Sequence, residues 1–143
     1  MTERYELGTG VLNWERDERV NDRYGFVFLD QQEEMDRDIG DKVELDQSRA
    51  NRRGRLIAVV RETRRSRHVG DLFHKIYPQT PEVGEEIVLG KGILVFDDDG
   101  NVGILPDDKR PTWWLNVRNL YRVHEQTVTL FFEEDRPESW PRE

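Results

Sequence analysis

Eight short runs of branched and aromatic residues, punctuated by Gly, Pro and Asp and never lengthening into a helical period, set the tightest limit on how this chain can fold. Thr9–Trp14 follows Gly8, and Tyr24–Leu29 is rich in rings and branched side chains. Lys42–Leu45 alternates polar and apolar at the strand period of two. Leu56–Thr63 is β-branched and preceded by Gly54, and Glu86–Leu89 follows Pro81 and Gly84. Ile93–Phe96 and Val102–Leu105 flank Asp97-Asp98-Asp99-Gly100-Asn101, whose Asp-Gly pair favours a tight hairpin. Gln126–Glu133 sets Val128, Leu130 and Phe132 on one face. Helix signals are sparse: Asn116–Tyr121 predicts a turn or two with Asn116 as cap, and Asp30–Gly40 predicts a charged loop or short helix. Many short strands at close spacing predict an all-β or nearly all-β chain. The expected form is a small barrel of the OB or SH3-like kind, with a later hairpin added and at most one or two short helices.

No internal repeat or linker divides the chain. The expectation is one β-rich domain over residues 1–135 and a polar tail over 136–143, where Pro137 and Pro141 break any pattern. A core is affordable at 143 residues, a length that hides roughly two thirds of the unfolded surface. The absence of cysteine excludes disulfide staples and thiolate metal sites. Met1-Thr2-Glu3-Arg4 begins polar and predicts no secretory leader, and runs such as Leu56–Val60 are too short to span a bilayer. A cytoplasmic protein with no membrane association is expected.

Charge is distributed unevenly. Residues 49–69 hold Arg49, Arg52, Arg53, Arg55, Arg61, Arg64, Arg65 and Arg67 against Glu62 alone. That is a net +7, which leaves −15 on the rest of a chain totalling −8. Two readings stand. Arg forks beside a strand can hold phosphates or an acidic partner. Alternatively, the same arginines pair with acids of their own domain. Of the 22 basic residues only 4 are Lys, and an acidic, Lys-poor composition fits a protein adapted to molar salt.

Tyr24, Phe26 and Phe28 fall at i, i+2, i+4, so one strand face carries three rings, and Gly25, Val27 and Leu29 form the other. A row of rings beside glycine can stack the bases of single-stranded nucleic acid; the same row can instead be core. Tyr24-Gly25-Phe26-Val27-Phe28 resembles the central motif of cold-shock domains, Gly8–Trp14 resembles their first strand, and Gly70-Asp71-Leu72-Phe73-His74 their second motif. The resemblance implies an OB barrel that binds single strands on its rings. This chain departs from the family by placing more than forty residues between the two motifs. Gly70-Asp71-Leu72-Phe73, Thr80–Glu85 and Leu120-Tyr121-Arg122-Val123-His124 also resemble a small uncharacterised family of salt-loving archaea, a resemblance that implies provenance and no activity.

Nucleophile elbows and phosphate-cradling glycine loops are missing, and His68, His74 and His124 lack metal-ligand spacing. Asp97–Asn101 lacks the closing glutamate of a calcium loop. Trp113-Trp114 puts one ring on each face of an extended chain. The expected protein is a non-catalytic binding module without cofactor or metal. Its expected ligand is single-stranded DNA or RNA, held by Tyr24, Phe26, Phe28, Arg52, Arg53, Arg55, Arg61, Arg64, Arg65 and Arg67. The alternative is an adaptor whose Arg-rich strand meets an acidic protein.

Overall fold

Alternation carries further than the polar start of the chain suggests. In the computed structural model, which describes residues 2–16, 25–31, 42–63, 81–105 and 116–135, the first strand, β1, runs Thr2–Arg16. Its N-terminal half is too polar to be read as strand in sequence, where the element is expected to begin only at Thr9. It is a strand because Tyr5 pairs with the buried Phe132 of the last strand and Leu7 is buried, while Arg4 and Glu6 are exposed. Then follow β2 (Gly25–Asp30), β3 (Arg53–Glu62), β4 (Glu86–Phe96), β5 (Val102–Leu105), helix α1 (Val117–Val123) and β6 (Thr127–Asp135).

These strands close into an antiparallel barrel in the order β1-β2-β5-β4-β3-β6. The expected small all-β barrel is therefore what forms, with six strands rather than eight. Two expected strands merge: Glu86–Leu89 and Ile93–Phe96 are one β4 that continues through Gly90-Lys91-Gly92. Gly92 punctuates the sequence for a reason other than a turn, since a Cβ there would lie 2.2 Å from the Leu105 carbonyl oxygen on the neighbouring strand. Lys42–Leu45 is not a strand of the barrel but a strap tied to it. A single bridge joins Lys42 to Asp30, Val43 N–H donates to Leu29 (2.7 Å), and Asp46 N–H donates to Leu7 (2.9 Å). The Asp97–Asn101 hairpin forms as expected between β4 and β5.

The interior is filled by one aliphatic set from each strand. Leu12, Val27, Leu29, Leu56, Ala58, Val60, Leu89, Leu94, Val102, Ile104, Val128, Leu130 and Phe132 are all inaccessible to solvent. Each large side chain so buried contributes roughly 1.5–3 kcal/mol. Leu120 and Val123 of α1 join this core. Asn116 caps the helix by accepting from Asn119 N–H (3.1 Å), as its sequence position predicts. Asn119 Nδ2 in turn donates to the Val88 carbonyl (2.6 Å), which pins α1 to β4. Trp14 leans edge-on against Tyr121, with centroids 5.4 Å apart. Among the described residues no helix is long and apolar enough to cross a membrane.

Candidate nucleic-acid interface

Register decides which face of β2 is inside. Leu12 pairs with Leu29 and Trp14 with Val27, and directly opposed residues share a face. Val27 and Leu29 are fully buried, so they take the interior. Phe26 and Phe28 stand on the outer wall, half-buried, beside Glu15 and Asn13 in the same register. The rings are therefore not barrel core. Tyr24, the third ring expected in this row, lies outside the described residues.

The strap completes this outer face. Lys42 places its ammonium 4.4 Å above the centroid of the Phe28 ring, a cation–π contact, and donates to Asn101 Oδ1 at 3.2 Å. Asn101 is itself nearly buried and rigidly held. Its backbone N–H and its Nδ2 both donate to the Asp97 carboxylate, at 2.9 and 3.0 Å. The Asp97 carboxylate is thus occupied inside its own turn, where it also accepts from Asp99 N–H. Asn13 Nδ2 donates to the buried Asp30 carboxylate, which steadies the end of β2.

The arginines of the charged segment occupy a different side. Two strands separate β2 from β3 whichever way the barrel is followed, so they lie across it from each other. Arg55 on β3 donates to the carboxylate of Glu133 on β6, a side chain only 10% exposed. Arg4 on β1 donates to the same carboxylate at 2.9 Å and to Glu86 on β4 at 2.7 Å, passing over the Phe131 ring on the way. Hydrogen bonds from Arg55 and Arg4 hold Glu133 below the usual carboxylate range, and Arg4 does the same to Glu86. Arg52 lies 3.6 Å from the buried Glu134, and Arg61 Nε donates to Thr129 Oγ1 at 3.0 Å. Arg49 stacks on Tyr5 at 3.8 Å, and Tyr5 donates to Glu3, which raises the Tyr5 pKa. Arg53 is exposed at the start of β3. Arg64, Arg65 and Arg67 lie outside the described residues, as do His68, Asp71, His74, Trp113 and Trp114.

The barrel thus brings Phe26 and Phe28 together with Lys42, and does not bring Arg52, Arg55 or Arg61 to them. Lys42 carried no local signal of its role. It stands at the head of an alternating run that reads as one more strand, and its partners Phe28 and Asn101 come from elsewhere in the chain. Comparison with protein-family models, with curated proteins and with solved structures finds no match to this chain.

Proposed function

We propose that the outer face of β2 binds single-stranded nucleic acid, stacking bases on Phe26 and Phe28 and meeting a phosphate with Lys42. One observation carries this reading: two rings at strand period turn outward from a strand whose inward positions, Val27 and Leu29, are aliphatic, and a lysine is held over one of them. Bases stacking against such rings would gain about 1–3 kcal/mol each. Asn101 holds the Lys42 ammonium over the Phe28 ring, so Lys42 supplies a positioned cation rather than a wandering one. The chemistry needs no cofactor and makes no bond. A chain of net −8 opposes a polyanion at long range, so affinity is modest and falls with dilution of local contacts. The adaptor reading has less support, because Arg52 and Arg55 would have to leave Glu134 and Glu133 to meet an acidic partner.

Fluorescence anisotropy with labelled single-stranded RNA and DNA tests this reading. Phe28→Ala should weaken binding by about 1–3 kcal/mol and leave the salt slope intact, while Lys42→Gln should reduce that slope by about one phosphate contact. Because the ring is half-buried outside the core, Phe28→Ala should cost well under the roughly 3–5 kcal/mol of a core phenylalanine. Absence of binding by the wild-type chain to either nucleic acid at moderate salt sinks the proposal. Full-strength binding by Phe28→Ala sinks it equally.

A further inference from the structure

The six seams of this barrel are unequal. β1 pairs with β6 at nine positions, β3 with β6 at eight, β3 with β4 at seven, β1 with β2 at six and β4 with β5 at four. Among the described residues β2 and β5 meet at Val27–Val102 alone. The antiparallel register that this pair sets would place Phe26 opposite Gly103 and Gly25 opposite Ile104 on one side, and Phe28 opposite Asn101 on the other. All of these residues lie in or next to the two strands, and none of those pairs forms. Beyond Val27 the same edge of β2 turns to the strap instead, through Leu29 with Val43 and Asp30 with Lys42. β2 is thus bound firmly to β1, loosely to β5, and shared with a segment that is not a strand.

We propose that the barrel opens along the β2–β5 seam as a local transition, distinct from global unfolding. Regions held by few ladder bonds open at lower free energy than the core strands, and among the described residues the lost pairing is one position against nine at the β1–β6 seam. The moving parts are β2 with the end of β1 beyond Val11, where the pairing of β1 with β6 stops, and the short β4–β5 hairpin. Opening bares Val27, Val102 and Ile104, all fully buried in the closed form. The inference stands on topology and does not depend on what the outer face of β2 binds.

The absence of cysteine makes the test direct, since an introduced thiol is the only one in the chain. Val102→Cys and Val128→Cys are near-isosteric changes at equally inaccessible sites, one at the weak seam and one in β6 between β1 and β3. With excess aromatic disulfide reagent under native conditions, the thiol from Val102→Cys should react at least about 100-fold faster than that from Val128→Cys. Its rate should be insensitive to low denaturant, while the other follows global stability. Equal rates, both tracking global unfolding, overturn the proposal. If either variant fails to fold, amide exchange of the wild-type chain decides. Seam-facing amides of β2 and β5 should exchange at least about 100-fold faster than those of Val128–Phe132, and equal protection overturns the proposal.

Discussion

The wall formed by β1, β6 and β3 and the wall formed by β2 answer the same problem in opposite ways. On the first, charge is matched within the chain: Arg4 and Arg55 converge on Glu133, Arg4 reaches on to Glu86, and Arg52 faces Glu134. On the second, half-exposed rings stand beside one positioned lysine, and the Asp30 and Asp97 carboxylates accept from Asn13 and Asn101. The difference teaches that an arginine-rich strand is not by itself a phosphate surface. A cation is available to a ligand only where the fold has not already supplied its anion. The +7 segment looked like the stronger functional signal in sequence, yet much of its described part is spent on strand-to-strand ties.

The comparison breaks most severely at Glu133. It is the shared acceptor of two arginines on neighbouring strands and is itself almost buried. Removing one partner of such a group leaves charges without their acceptor, so Glu133→Gln should destabilise the barrel by about 2–3 kcal/mol, less than a fully buried pair because both arginines are partly exposed. The acid limb gives a second readout. The Glu133 carboxyl is depressed in the fold from the ordinary 4.5, so its contribution is present above that value and is lost as pH falls through the folded pKa. Denaturant midpoints should therefore drop for the wild type below about pH 4.5 and drop less for Glu133→Gln. Identical acid limbs for the two proteins would show that the Arg–Glu wall contributes nothing to stability.

The β2 wall is sharpened through the strap that positions Lys42. Val43 and Leu45 of the strap pack where β1 carries Gly8 and Gly10. A Cβ on Gly10 would lie 2.6 Å from the Asp30 carbonyl oxygen and 3.0 Å from a Val43 methyl, so both β2 and the strap must move to admit it. Gly10→Ala should cost about 1–3 kcal/mol and displace Lys42 from Phe28. A wild-type melting curve together with an unshifted Lys42 ammonium signal by NMR would show that the strap has slack.

Much of the architecture was legible because strands announce themselves by short alternating runs, and because Asn116 and the Asp97–Asn101 turn carry local hydrogen-bonding chemistry. Orientation was not. On β2 both faces are apolar, Phe26 and Phe28 on one and Val27 and Leu29 on the other, so periodicity separates two faces without naming the inner one. Barrel closure chooses the branched aliphatics, which interlock with Leu12 and Val102. Strand β1 was cut short in sequence for the converse reason. Glu3, Arg4 and Glu6 break the apolar pattern before Thr9, and only the pairing of Arg4 with Glu133 on β6 shows what a charged residue does there. Arg55 and Glu133 are 78 residues apart, a pairing no local pattern announces. The strap misled because Lys42–Leu45 alternates as a strand does, while its neighbour β2 has only one bridge to offer it.

The smallest expected effect separates near charges from far ones. The Arg4 contacts are 2.7–2.9 Å long, shorter than the screening length at any ordinary salt, which is roughly 10 Å at 0.1 M and 3 Å at 1 M. Raising KCl therefore weakens these ties little. The repulsion among the acids of a chain of net −8 acts over longer distances and is largely removed by the same change. The two terms oppose each other, and the long-range one should prevail, raising stability by about 1 kcal/mol between 0.1 M and 1 M KCl. For a chain of this length that is about 2–4 °C in melting temperature. In Glu133→Gln the net charge becomes −7 rather than −8 and the local tie is already lost, so the gain with salt should shrink only slightly. A wild-type melting temperature that stays level or falls in molar KCl would mean that short-range pairs dominate the electrostatics of the whole barrel. The acidity of the chain would then require an explanation other than adaptation to salt.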